Sequence, residues 1–238
     1  MGNLRDQVVL VTGGTSGFGR ATAKLFIEKG AKVIITGRDQ ERLNIAQDEL
    51  GKVDCFLADV TDPLKWEELA EFVIQKYGKL DILVNNAGAG VSITGIVDQK
   101  YAEIDKIIST NLNSVIYGCK VFGRLMKEQG EGTIINIASV CAKHAWPKWN
   151  IYAAAKWGVL GFSKALYVEL QPYHVRVTCI MPGLSSTNFQ ASAGKNPINS
   201  LLSPDDLAEV IVNICALPKH VVIEETIVWG IDQVVNPL

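Results

Sequence analysis

The sequence predicts a single-domain α/β fold, a Rossmann-like doubly wound parallel sheet of about seven strands with helices on both faces. Three observations carry this. Short Val- and Ile-rich runs alternate with amphipathic helical patterns along the chain. Those runs are apolar on both faces, as strands covered on both sides must be. No linker, low-complexity tract or charge run divides the 238 residues, enough for one large core.

Strand patterns fall at 8–11, 32–36, 54–57, 82–84, 133–137, 176–180 and 226–228. Helical patterns fall between them at 20–29, 41–50, 63–77, 101–129, 152–170 and 204–216. A sheet of this kind binds its ligand at the carboxyl ends of its strands, so the loops that follow strands should carry the chemistry.

Bulk properties narrow the function. The formal charge is −2 with 20% charged residues, which gives no reason to expect nucleic acid or an anionic membrane as partner. No apolar run approaches the roughly 20 residues that span a bilayer. Met1-Gly2 opens like a myristoylation signal, but Asp6 stands where Ser or Thr is needed. The chain enters its first strand without signal-peptide features. Cys55, Cys119, Cys141, Cys179 and Cys215 are scattered, odd in number and form no Cys-x-x-Cys, as reduced thiols would be. A cytoplasmic location is expected.

The first post-strand loop reads Thr12-Gly13-Gly14-Thr15-Ser16-Gly17-Phe18-Gly19 and opens a helix. Glycines allow the tight turn and let backbone approach a pyrophosphate. The helix N-terminus offers unpaired N–H groups and a positive dipole end. Gly13, Thr15, Ser16, Gly17, Phe18 and Gly19 are therefore candidate cofactor contacts. The second strand ends at Thr36-Gly37-Arg38, where an acidic residue would bind the ribose hydroxyls of NAD. A guanidinium there pairs with a 2′-phosphate, so Arg38 favours NADP(H). The competing assignment leaves Arg38 solvated and gives the ribose to Asp39. Asp59 and Val60 follow the third strand, placed to meet the adenine. Asn85-Asn86-Ala87-Gly88 follows the fourth. Its small residues leave room for the adenosine ribose, and its amides can satisfy loop backbone; a plain turn would look the same.

Tyr152 and Lys156 are four apart in Tyr-Ala-Ala-Ala-Lys, hence on one helix face. A free tyrosine, with a pKa of about 10, is a poor base at neutral pH, and a neighbouring ammonium lowers that value. Such pairs also occur on solvated helices. Ser139 follows the fifth strand, where its hydroxyl could polarise a substrate oxygen. Asn111 sits in Ser-Thr-Asn-Leu-Asn inside a long helical pattern, a poor position for Asn. A kink that lets it hold a water behind Lys156 would explain it, and so would a core hydrogen bond.

Taken together, these motifs resemble the short-chain dehydrogenase/reductase family over nearly the whole chain. The matches are Thr-Gly-x-x-x-Gly-x-Gly at 12–19, Asp59, Asn-Asn-Ala-Gly at 85–88, Asn111, Ser139, Tyr152-x-x-x-Lys156 and Pro182-Gly183. The resemblance implies a catalytic tetrad in which Tyr152 is the acid/base and Ser139 the carbonyl polariser. Lys156 would anchor the ribose and tune Tyr152, and Asn111 would support a proton relay. Tyr152, Lys156, Pro182 and Gly183 would contact the nicotinamide end, and Thr187 its carboxamide. The resemblance further implies hydride transfer between NADP(H) and a carbonyl or secondary alcohol of a small to medium substrate. It also implies a homo-oligomer, tetramer or dimer, with the small-residue face Ala153, Ala154, Gly158 and Gly161 suited to close helix packing. The chain departs from the family near its end, where Glu224 to Gly230 replaces a Gly-rich tail.

Residues 184–202 are expected to form a substrate lid. Between Ser139 and Tyr152 lie Lys143, His144, Trp146, Lys148 and Trp149. The two lysines and the histidine could attract an anionic substrate; a solvated loop anchored by tryptophans is the other reading. No histidine has partners at metal-ligand spacing, so no metal site is assigned. Rival functions are a 3-oxoacyl carrier-protein reductase and, from another class, a non-catalytic NADP-binding regulator.

Overall fold

The computed structural model describes residues 2–88, 94–185 and 202–233. The strands are β1 (Val8–Thr12), β2 (Lys32–Gly37), β3 (Val53–Leu57), β4 (Ile82–Asn85), β5 (Gly132–Ile137), β6 (Val175–Pro182) and β7 (Glu225–Val228). The helices are α1 (Gly17–Glu28), α2 (Gln40–Leu50), α3 (Pro63–Tyr77), α4 (Tyr101–Ile108), α5 (Ser114–Gln129), α6 (Asn150–Leu170) and α7 (Pro204–Cys215). All sheet pairings are parallel, in the order β3-β2-β1-β4-β5-β6-β7. This is the doubly wound Rossmann-like sheet that the alternating pattern predicts.

Alternate residues of the central strands feed two cores, which is why those strands read as continuous apolar runs. On one face Leu10, Ile34, Leu83 and Ile134 pack with Trp66 and Leu69 of α3, Phe122 and Met126 of α5, and Val159 and Leu166 of α6. On the other, Val9, Val11, Ile35 and Val84 pack with Phe26 of α1, Leu43 of α2, and Leu207 and Ile211 of α7.

Strand order reverses between β1 and β4. Their carboxyl ends diverge there into a crevice, where doubly wound sheets place ligands.

The long helical pattern at 101–129 is not one helix. A π-helical turn at Ser109–Asn113 separates α4 from α5. Such a turn inserts one residue into the helical ladder and recurs at functional sites. Asn111 is fully buried within it.

Candidate active site

A continuous cleft of about 1390 Å³ runs along the carboxyl edge of the sheet. Its floor at one end is the β1–α1 loop. Gly13 has φ +65°, in the left-handed region that favours glycine. The loop is stitched to β4: Thr12 Oγ1 accepts the N–H groups of Asn86 and Ala87, both at 3.0 Å, and Asn86 Nδ2 donates to the carbonyl of Thr12 at 2.8 Å.

The start of α1 differs from those of α3 and α7. Asp62 caps α3, and Ser203 with Asp206 forms a capping box on α7. Ser16 makes no side-chain cap, and the first turn of α1 has no acidic residue. Backbone N–H groups thus face the cleft beside Gly13, Thr15, Ser16, Gly17 and Phe18, all of which line it. A pyrophosphate fits this loop, since an anion satisfies those donors and the glycines admit it.

Arg38, Asp59, Val60, Ala87 and Gly88 line the same end. The Thr61 N–H holds the Asp59 carboxyl below its ordinary range, and the Thr61 hydroxyl and Arg38 guanidinium contribute in the same sense. The cleft also takes in Arg42, which sequence reasoning missed. The signal was its i+4 spacing from Arg38 across the start of α2. Asp39 caps α2, accepting the Arg42 N–H at 3.1 Å.

Two expected contacts lie elsewhere. Asn85 does not line the cleft: its side chain turns into the core and donates to Asn136 Oδ1 at 2.8 Å. Strand alternation puts it on the face opposite to the loop, and Asn86 takes the cleft position instead. Gly19 is also off the cleft. A Cβ there would strike the Gly13 carbonyl and, at 2.5 Å, Asn86 Nδ2, so this glycine serves helix–loop approach. Thr187 and most of the expected lid lie outside the described residues.

At the other end of the cleft, Asn111, Ser139, Tyr152, Lys156, Pro182 and Gly183 converge. The chain turns sharply after β5, and Ser139 Oγ accepts the Cys141 N–H at 3.2 Å. The Ser139 hydroxyl is hydrogen-bonded with Tyr152. Lys156 Nζ donates to the Ile137 carbonyl at 2.9 Å and lies 5.6 Å from the centre of the Tyr152 ring. Asn111 Nδ2 donates to the Ile107 carbonyl at 3.0 Å, a bond the π-helical turn sets up. Gln233 Oε1 accepts the Leu184 N–H at 2.8 Å and steadies the Pro182-Gly183 turn. Nothing in the sequence distinguished Gln233 from a surface amide.

The electrostatics correct one expectation. Tyr152 is not lowered by its lysine in this structure. Burial pushes its phenol up, and the Ser139 hydroxyl only partly opposes this. Burial also pushes Lys156 down, to about 8. Both groups sit where water is excluded, which penalises the charged form of each, yet with a pKa of about 8 Lys156 keeps its ammonium at neutral pH.

Lys143 pairs with Glu225 at 2.9 Å, and Lys164 of α6 joins the same carboxylate at 2.8 Å. Neither Lys143 nor Lys148 lines the cleft. Among the described residues, no helix is long and apolar enough to cross a membrane.

Fold and crevice together define a Rossmann-type α/β protein with an anion-accepting loop and a Ser-Tyr-Lys cluster on one cleft. The sequence pattern described as short chain dehydrogenase matches residues 7–197. An uncharacterized oxidoreductase of Staphylococcus aureus is 36% identical over 225 residues, covering 93% of this chain and 96% of its own. Serine dehydrogenase in its closed form, complexed with NADP+, is similar in structure with a TM-score of 0.92 at 34% identity, covering 98% of each chain. A 3-ketoacyl-(acyl-carrier-protein) reductase from Brucella melitensis, complexed with NADH, gives 0.89 at 32% identity, covering 95% of this chain and 98% of its own. The chain belongs to the short-chain dehydrogenase/reductase family and is an oxidoreductase.

Proposed function

We propose that this enzyme transfers a hydride between NADP(H) and the carbonyl or secondary alcohol of a small to medium substrate. The observation that carries the reading is the convergence of Ser139, Tyr152 and Lys156 at one end of a cleft whose other end is an uncapped helix N-terminus.

NADPH, when bound, supplies the hydride. The protein's part is to bind, orient and move a proton. Ser139 donates a hydrogen bond to the substrate oxygen as negative charge develops there. Tyr152 gives its phenolic proton to that oxygen during reduction and takes it back during oxidation. Lys156 in its charged form stabilises the resulting phenolate. Asn111, held in the π-helical turn, supports a proton relay behind Lys156. Pro182, Gly183 and Thr187 would hold the nicotinamide end.

The preference for NADP(H) rests on Arg38 and Arg42, both on the cleft. Asp39, the competing ribose ligand, also lines the cleft but already spends one carboxylate oxygen on capping α2. An Arg38→Ala enzyme is expected to lose about tenfold or more in NADPH affinity, the scale of a charge-assisted phosphate contact, with little change for NADH. Equal loss for both cofactors would remove the preference.

The decisive test follows nicotinamide absorbance with NADPH and NADH against aldehydes, ketones, 3-oxo acids and diketones. Turnover that disappears in Tyr152→Phe supports the reading. Cofactor binding without turnover on any carbonyl would favour a non-catalytic regulator. The carrier-protein reductase remains a second reading because of the Brucella melitensis neighbour; retention of this chain on immobilised acyl carrier protein would favour it. A cytoplasmic location and a homo-oligomer complete the proposal.

A further inference from the structure

We propose that the substrate of this cleft is an uncharged carbonyl compound whose flat, apolar ring lies against Trp146 and Trp149. This rests on the oxidoreductase reading above and names its substrate class.

The two tryptophans are held by construction. Trp146-Pro147-Lys148-Trp149 is a tight turn closed by the Trp149 N–H on the Trp146 carbonyl at 3.2 Å. Proline at its second position and a positive φ at its third are the marks of a type II turn. That third residue is Lys148, with φ +71°, where glycine would be at ease. Strained backbone of this kind persists where the surroundings over-determine it, often at ligand sites. The turn sets an indole at each of its ends, and both line the cleft that holds Ser139 and Tyr152.

Packing fixes the rings further. Trp149 meets Tyr152 edge to face, with centroids 5.6 Å apart. His144 is wedged between Trp146 at 6.0 Å and Trp229 at 5.7 Å. Val140 and Cys141 complete the wall beside Ser139. Rigid aromatic surface presented to a ligand favours another flat apolar group.

Charge points the same way. Lys143 is held in an ion pair with Glu225, and neither it nor Lys148, which lies between the two tryptophans in sequence, lines the cleft. Asp232, beside the Gln233 that steadies Leu184, adds a carboxylate to the cleft. The cleft's lysines, Lys106 and Lys156, come from other elements, so a carboxylate set against the two indoles would lose hydration without gaining a partner from this wall, whereas a neutral ring would not.

Three probes separate ring from charge when assayed with NADPH. Acetophenone has a ring and no charge, benzoylformate has a ring and a carboxylate, and butanone has neither. The expected kcat/KM for acetophenone exceeds each of the others by at least about tenfold. In Trp149→Leu, and separately in Trp146→Leu, the acetophenone-to-butanone ratio should fall by about tenfold, mainly through KM. Trp149→Phe, which keeps a flat ring, should restore most of it. A preference for benzoylformate or butanone overturns the inference, and so does a ratio that no tryptophan substitution moves. The parent reading fails separately: it falls if calorimetry shows no NADPH or NADH binding. If cofactor binds and the ring ketone alone is refused, the substrate class is wrong and the oxidoreductase stands.

Discussion

Lys156 concentrates the tension at this site into one side chain. Its ammonium is needed beside Tyr152, yet burial pushes its pKa from an ordinary lysine value to about 8. The unfolded chain, with its lysine near 10.4, therefore binds more protons than the folded one between those values. Folding carries the full cost of the buried ammonium below about pH 8, and that cost fades as pH rises towards the unfolded value. Lys156→Met should then stabilise the protein at pH 7 by about 1–3 kcal/mol, less the hydrogen bond to Ile137, while abolishing turnover. Urea denaturation at pH 7 and again near pH 9.5 checks this. The gain must shrink at the higher pH, and a gain independent of pH would mean that Lys156 titrates alike in the folded and unfolded chains, with no cost of burial to relieve. Tyr152→Phe separates chemistry from binding at the same scale. The phenolic oxygen is lost while the ring and its Trp149 contact stay, so turnover should fall by about 10²–10⁴ with cofactor affinity nearly intact by fluorescence titration.

At the scale of elements, β7 ties the site together through Glu225. Its carboxylate joins Lys143, in the turn after β5, to Lys164 on α6, and both lysines hold it below the ordinary carboxylate range. These side chains are part-exposed, so Glu225→Gln should cost about 1 kcal/mol or less in stability. The freed Lys143 turn should show in the carbonyl KM, which rises, and not in cofactor affinity; matched steady-state kinetics and cofactor titrations distinguish the two. The same scale shows what the sequence could reveal. The strands were legible because the central ones are buried on both faces and the edge strands β3 and β7 still carry short apolar runs, and the Gly-rich loop, Ser139 and Tyr152-x-x-x-Lys156 because their spacing is local. The π-helical turn was not, since one inserted residue barely disturbs a hydrophobic period of 3.6. Asn85 and Asn86 were not separable either, because which of two neighbours faces the cleft depends on where strand alternation ends. The Lys143–Glu225 pair joins residues 82 positions apart (225 − 143), and no local pattern announces it.

For the whole molecule, the outer face of α6 is the informative surface. Ala154, Trp157, Gly161, Ala165 and Val168 follow one another at helical spacing of three and four, and all are exposed. Trp157 is 52% and Val168 68% accessible, and a Cβ on Gly161 would meet nothing within 4 Å. A stripe of small and apolar residues open to solvent on a long helix suits close approach of another helix. A second copy of the chain is the partner that the family resemblance implies, through a two-fold contact in which the stripe meets itself. The same helix carries Tyr152 and Lys156 on its inner face, so assembly would stiffen the element that holds the reacting groups. Trp157→Glu places a charge in the middle of that stripe without touching the cleft. Light scattering after gel filtration should show the parent as a dimer or tetramer at micromolar concentration and the variant as a smaller species. The parent's Tm should rise with protein concentration, because only the assembled state gains from mass action, and the variant's should not. A parent that runs as a monomer with a concentration-independent Tm would leave the α6 stripe without this role.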